Sequence, residues 1–212
     1  MKPKHQLRKG LNSGKAEIMK RNFIVAVGCF LAVSLAASAG TLSGSVKGAP
    51  GQSVVYLQAV QATAPAPAPK QAYRMDQKGM KFIPDVLVVP VGATVEFDNE
   101  DAAAHNVYWP SISGDKKLKH NLGTFPTGQK ATYKFDHAGV VPILCNVHPD
   151  MSAYIIVTPT PYYAQTDQIL GGYFIQNVPD GQYKAFVWHK GKTTSQVVNV
   201  AGNTKVDFTI GK

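Results

Sequence analysis

Gly139-Val140-Val141-Pro142-Ile143-Leu144-Cys145-Asn146-Val147-His148-Pro149-Asp150-Met151-Ser152-Ala153-Tyr154-Ile155-Ile156-Val157 is the stretch that decides the fold. It reads as a strand over 139–144, a tight loop stiffened by Pro149, and a second strand over 152–157. The same texture extends outward in both directions. Short β-branched and aromatic runs alternate with Gly, Pro, Asn and Asp, and helical periodicity is nearly absent. Further strands are expected over 41–46, 54–59, 81–89, 94–98, 105–108, 130–135, 172–177, 181–188, 196–200 and 205–210. Turns are expected at Val91-Gly92, Asp136-His137-Ala138-Gly139, Pro179-Asp180-Gly181 and Gly202-Asn203. The fold class is therefore all-β, a sandwich or barrel.

The central loop also carries chemistry. Cys145, His148 and Met151 form a C-x2-H-x2-M cluster, and His105 stands on a separate strand 40 residues before the cysteine. One thiolate, two imidazoles and one thioether make a ligand set for a single mononuclear copper ion. Two histidines and a cysteine form a trigonal plane, and a weak, long Met completes it. Met is a poor ligand for most metals but suits soft copper. A binuclear copper centre would need a second bridging cysteine, and a multicopper oxidase would need several His-x-His pairs. Structural zinc takes four cysteines or cysteine–histidine mixtures. None of these patterns is present. Each residue alone has a plainer reading: Cys145 as a buried thiol, His148 as a surface imidazole, Met151 as core filler. Their combination on an all-β chain points to copper.

The formal charge of +9 is largely a property of the first 39 residues. Lys20 and Arg21 precede the apolar run 23–37, and Ala37-Ser38-Ala39 follows it, the pattern of a secretory signal peptide. Cleavage after Ala39 would leave Gly40 as the first residue. A start at Met19 would give a signal of ordinary length. The run is short for a membrane-spanning helix, and a lipoprotein reading through Cys29 is the weaker one because the apolar run continues past it. Removing residues 1–39 takes away seven of the 22 Lys/Arg and one of the 13 acidic residues, which leaves +3. That balance offers no clustered basic face for nucleic acid. The run Lys116-Lys117-Leu118-Lys119 reads as a solvated loop or edge strand. Cys29 leaves with the signal, so Cys145 becomes the one remaining cysteine, and a metal gives it a role. The chain is expected to be periplasmic or otherwise exported, with no stable membrane insertion after cleavage.

Two Pro-rich stretches divide the remainder: Ala64-Pro65-Ala66-Pro67-Ala68-Pro69 and Thr158-Pro159-Thr160-Pro161. Residues 63–71 form a stiff linker, and 72–157 hold every candidate ligand. Residues 40–62 offer only two strands, too few to be stable alone. Residues 160–212 offer about four, with an apolar face of Phe174, Ile175, Val178, Tyr183, Phe186 and Trp188. The simplest arrangement joins 40–62 and 160–212 into one small sandwich, with the copper domain inserted at an exposed loop. Two tandem domains with a separate N-terminal hairpin are the alternative.

Residues 72–157 resemble the cupredoxin family, in particular the amicyanin and plastocyanin group. The resemblance rests on Val86-Leu87-Val88-Val89-Pro90-Val91-Gly92-Ala93-Thr94-Val95-Glu96-Phe97, His105-Asn106-Val107, Asp136-His137-Ala138-Gly139 and the segment Cys145 to Met151. The short ligand loop is similar to that of amicyanin; plastocyanin's is longer. The resemblance implies a Greek-key sandwich with His105, Cys145, His148 and Met151 as copper ligands. It also implies that the Asn106 backbone N–H donates to the Cys145 sulfur, a contact that tunes a metal's potential. The flanks resemble a carboxypeptidase-regulatory-like, or transthyretin-like, sandwich. Gly44-Ser45-Val46, Val54-Val55-Tyr56-Leu57, Thr166-Asp167, Gly172-Tyr173-Phe174 and Asn177-Val178-Pro179-Asp180-Gly181-Gln182-Tyr183 carry this. The pairing resembles methylamine-utilisation-type cupredoxins.

Tyr108, Trp109 and Pro110 are expected to line an apolar end around His148, whose outer edge would be the electron exit. Met75 and Met80 read as packing residues, His120 and His137 as surface residues, and His189 as a strand-edge histidine. Nothing resembles a catalytic triad, paired carboxylates or a phosphate-binding loop. The expectation is therefore a blue-copper carrier of single electrons, not an enzyme. It would pass electrons to or from a redox protein such as a cytochrome or dehydrogenase. A periplasmic copper chaperone or storage protein using the same ligands is the alternative.

Overall fold

The computed structural model describes residues 39–61 and 72–211. The signal-peptide reading and the whole of the linker over 63–71 lie outside the described residues. No helix among the described residues is long and apolar enough to cross a membrane.

The described chain forms strands β1 (Ala39–Lys47), β2 (Val54–Ala59), β3 (Tyr73–Gln77), β4 (Phe82–Ile83), β5 (Val86–Pro90), β6 (Thr94–Asn99) and β7 (His105–Trp109). A 3-10 turn at Lys116–Leu118 precedes β8 (His120–Phe125), β9 (Lys130–Lys134), β10 (Gly139–Leu144) and β11 (Ser152–Thr158). Then come β12 (Tyr163–Gln165), β13 (Gly172–Pro179), β14 (Gly181–His189), β15 (Lys192–Val200), β16 (Asn203–Lys205) and β17 (Phe208–Thr209).

Strands β3 to β11 build two sheets, ordered β4-β3-β6-β9 and β5-β11-β10-β7-β8. Between them lies a core that includes Met75, Phe97, Val107, Trp109, Phe135, Ile143 and Ile155. The other two sheets are ordered β13-β1-β16, with β17 also on β1, and β12-β2-β14-β15. Their shared core holds Leu42, Leu57, Ile175, Val178, Tyr183 and Val187. Strands β1 and β2 lie in different sheets, so they are not a hairpin. Each pairs with strands that follow residue 160: β1 with β13, β16 and β17, and β2 with β12 and β14.

Two sheets, β12-β2-β14-β15 and β5-β11-β10-β7-β8, show the strand period of two with a core on each face. Along β14, Tyr183, Ala185 and Val187 point into one core, while Phe186 and Trp188 point the other way. There they meet Val54 and Tyr56 of β2, Val88 of β5, and Ile156 of β11. The continuous apolar run Val54-Val55-Tyr56-Leu57 has the same cause, because a sheet covered on both faces has no polar side. This corrects the expected apolar face of the flank. Phe186 and Trp188 pack toward the other sandwich, and Phe174 stands 53% exposed on the outer face of β13.

The stretch expected as one strand over 81–89 is two. Phe82–Ile83 pairs with β3, and Val86–Pro90 pairs with β11 in the opposite sheet. Pro84 lacks the N–H needed to continue a ladder, so the chain changes sheets there. The Thr158-Pro159-Thr160-Pro161 stretch is a bonded joint and not a free spacer. Val91 N–H donates to Thr158 O at 2.9 Å, and Thr160 Oγ1 donates to Leu57 O at 2.6 Å. Each sandwich holds one end of it.

Candidate metal centre

One pole of the β3–β11 sandwich gathers the chemistry-bearing side chains. His105 opens β7, Cys145 follows β10, and His148 lies on the loop that leads into β11. That loop is closed by two backbone bonds, Met151 N–H to His148 O at 3.0 Å and Cys145 N–H to Met151 O at 3.3 Å. The residues are thereby turned back toward β7. Donor atoms of His105, Cys145 and His148 all lie within 4.8 Å of one another. His105 Nδ1 is 2.9 Å from His148 Nδ1, which is 4.0 Å from Cys145 Sγ. Atoms bonded to one ion at about 2.0–2.3 Å stand at most about 4.6 Å apart, so both separations fit a single shared ion. Three such donors can hold a metal, and thiolate with imidazole suits copper.

Burial is graded across the cluster. His105 is fully buried and Cys145 nearly so, while His148 is half-buried. Met151 is buried in the same core as Cys145. Asn106 N–H points at Cys145 Sγ at 3.4 Å.

Two residues that the sequence reading did not single out build the approach to His105. Asn99 ends β6; its Nδ2 donates to Ala103 O and Phe125 O, and its Oδ1 accepts from Asp101 N–H. The loop 99–104 is thus tied to Phe125, the cross-strand partner of His105. Asp101 Oδ2 lies 2.8 Å from His105 Nε2. It also accepts the N–H groups of Gly79 and Met80. The Met80 N–H foremost, with the Gly79 N–H and His105, holds the Asp101 carboxyl below its ordinary range, so it is ionised at neutral pH. An ionised carboxylate accepts a hydrogen bond from His105 Nε2–H, which favours the tautomer whose Nδ1 is free to bind a metal. The signal for Asp101 was weak: an acid four residues before a histidine means little on a loop with no fixed period.

Asp101→Ala is expected to weaken metal binding about 10–100-fold, the usual effect of losing such an orienting partner. Competition against a chelator of known affinity measures it. An unchanged affinity would show that the carboxylate does not set the ring.

Tyr108, Trp109 and Pro110 do not surround His148. Trp109 is buried and donates from Nε1 to Leu118 O at 3.0 Å. All three line a cavity beside Lys119, His120 and Asn121. Exposed apolar groups near the pole come from its loops instead: Met80 at 61% and Val147 at 46% exposure. Met75 is core. His120 is exposed against Trp109 and Tyr133. His189 is buried, with Nδ1 3.0 Å from Ser53 Oγ and 3.2 Å from Gln52 O, so it is no free strand-edge group.

Residues 69–158 match the family model of copper binding proteins of the plastocyanin/azurin family. No curated protein matches the chain. Among solved structures, a reduced amicyanin variant is 25% identical over 49% of this chain and 97% of its own, with a TM-score of 0.38. A second amicyanin variant, in its Cu(I) form, is 27% identical with the same coverages and TM-score. A purple cupredoxin from Nitrosopumilus maritimus is 23% identical over 41% of this chain and 99% of its own, with a TM-score of 0.37. The matched family segment contains β3 to β11 and the whole cluster. The chain therefore carries a plastocyanin-like β-sandwich domain with a His/Cys/His cluster able to hold a metal ion.

Proposed function

We propose that this chain is an exported, non-catalytic carrier of single electrons, built on one mononuclear type 1 (blue) copper site. His105, Cys145, His148 and Met151 are its ligands. The observation that carries the reading is the convergence of one thiol and two imidazoles from β7 and a single loop at one pole of the sandwich. When bound, copper supplies a one-electron Cu(I)/Cu(II) couple.

The residues around it serve that couple. Asp101 fixes His105, and the closed loop fixes His148 and Met151, so little has to move when the charge changes. Asn106 N–H, directed at the sulfur, stabilises negative charge on Cys145. The half-buried ring of His148 offers an exit for the electron. Met80 and Val147 give that end an apolar surface suited to a brief, small redox interface. A cytochrome or dehydrogenase is a partner of the right kind.

The buried ligands favour a carrier over a copper chaperone. Handing an ion to another protein needs an accessible sulfur, and Cys145 and Met151 are both enclosed. The pairing of β1 and β2 with strands beyond residue 160 supports reading the other two sheets as one sandwich into which the copper domain is inserted.

Titrating Cu(II) into the purified chain tests the function. The expected result is an intense blue colour that saturates at one copper per chain, with a reversible one-electron midpoint. A colourless Cu(II) complex would overturn the proposal.

A further inference from the structure

Sheet edges are blunted almost everywhere in this chain. Among the described residues, edge strands β4, β12, β16 and β17 are only two or three residues long. β5 ends on Pro90, and β9 carries Lys130 and Lys134. β8 follows a run of lysines and faces a bulge at Val107/Tyr108. β13 meets a bulge between Gly40 and Leu42 and ends on Pro179. Shortness, lysine, proline and bulges all keep a sheet edge from pairing with another chain. β15 (Lys192–Val200) is the exception. It is nine residues long, pairs with β14 without a register shift, and carries no proline and no charge after Lys192.

The hairpin fixes which backbone groups of β15 are free. Lys190 and Gly191 have positive φ, 44° and 83°, the two-residue turn whose twist suits a hairpin. The flanking His189 and Lys192 then exchange both of their bonds, and every second residue of β15 repeats this toward β14. The N–H and C=O groups of Thr193, Ser195, Val197 and Asn199 therefore point away from β14. No other strand pairs with β15 among the described residues. Val197 is also 61% exposed. Ile210 and Gly211 line a cavity with Lys192, Thr193 and Thr194, so the free stretch starts at Ser195.

We propose that β15 pairs edge to edge with β15 of a second copy of this chain, antiparallel about a two-fold axis at Val197. In that register Ser195, Val197 and Asn199 of one copy meet Asn199, Val197 and Ser195 of the other. All have outward-pointing bonds, so each of these pairs exchanges backbone hydrogen bonds. The two exposed valines cover each other as a cross-strand pair. A second copy also fits by charge. The cation beside the axis is Lys184, the β14 neighbour of Val197, whose Nζ lies 5.1 Å from the centre of the Phe186 ring. The two copies of Lys184 stand three strand spacings apart, about 14 Å, beyond a Debye length of about 8 Å. Pairing doubles a four-stranded sheet, which keeps it within the usual limit of about ten strands. The contact is isologous and closes at a dimer. One strand per copy makes a small interface of the weak class, so the dimer grows with concentration.

Sedimentation velocity on the purified chain, from about 1 μM to about 1 mM, tests the association. The expected result is a monomer at the low end and a dimer at the high end. A monomer throughout would overturn the proposal, because even a millimolar interaction shows at that concentration. Hydrogen exchange then locates the contact. The amides of Ser195, Val197 and Asn199 are expected to exchange quickly in the monomer and to become protected in the dimer. Those of Thr194, Gln196 and Val198, bonded to β14, should be protected in both. A dimer that leaves Ser195, Val197 and Asn199 unprotected would overturn the edge pairing. Val197→Lys sets like charges opposite each other on the axis and is expected to abolish the dimer over the whole range. A Phe174→Lys control on β13, with the same change in net charge, should dimerise as the starting protein does. Equal loss in both variants would point to general repulsion and overturn the register. No measurement here involves the metal, so the copper reading stands or falls separately.

Discussion

If the proposed blue-copper site forms, Cys145→Ser is expected to remove its colour entirely while leaving a folded chain. The intense visible absorption of a thiolate–copper site comes from the sulfur, and a serine hydroxyl is neither soft nor ionised at neutral pH. The substitution is nearly isosteric and the residue lies at the pole, so the cores of both sandwiches keep their packing. Asn106 N–H keeps an acceptor within reach. Far-ultraviolet circular dichroism should therefore match the starting protein, while the copper-loaded visible spectrum is flat where the band stood. Retention of a strong blue band would show that Cys145 is not the ligand. A spectrum of unfolded chain would show that the thiol is chiefly structural.

The largest expected loss of stability comes from Trp188→Ala. Trp188 is 2% exposed in the cluster that joins the two sandwiches, with Val54, Tyr56, Val88 and Ile156 around it. Its ring also lies 5.0 Å from that of Tyr154. Truncating a buried tryptophan costs about 3–5 kcal/mol. One opposing effect is present: Trp188 Nε1 is buried with no hydrogen-bond partner among the described residues, so removing it relieves a desolvated donor. The packing loss is the larger of the two, and a loss near the lower end of that range is expected. Trp188→Phe separates the two effects, because it keeps most of the apolar contact and deletes the orphan N–H. It should cost clearly less than the alanine change, because the cavity it leaves is smaller. Urea denaturation measures both variants. Equal losses for Ala and Phe would show that the indole N–H matters and the packing does not. The copper colour should survive in each, since neither touches the pole.

Much of the fold was legible because period-two alternation and turn residues are local signals. Strands β1, β2, β6, β10 and β11 fall close to where their β-branched runs place them. Others were not legible. His120-Asn121-Leu122-Gly123-Thr124-Phe125 lacks a clean alternation, since as edge strand β8 it has only one neighbour and little to bury. Tyr73–Gln77 alternates in burial, but of its five residues only Tyr73 is a strong strand former, so its composition carries little strand signal. The 205–210 stretch divides because β16 and β17 each pair with a different part of β1.

The candidate site was legible in its donors and not in its supports. A cysteine, a histidine and a methionine at three-residue offsets restrict the chemistry by residue type alone. Asp101 and Asn99 are common loop and strand residues, and their roles exist only through partners brought from elsewhere in the chain. The same holds for the aromatic run after His105, which lies beside Lys119, His120 and Asn121. A strand carries successive residues about 3.3 Å farther along, and the sequence does not say which cavity lies at that distance.

Residue chemistry and local periodicity by themselves determined that this chain is all-β and which donor atoms it offers a metal, because donor softness and side-chain alternation belong to residues and near neighbours. Only the tertiary structure decided that His105 meets the distant loop, that Asp101 orients it, and that Phe186 and Trp188 join two sandwiches instead of filling one. Those facts depend on contacts between residues far apart in sequence, and side-chain direction is settled only once both partners of a pair of sheets are in place.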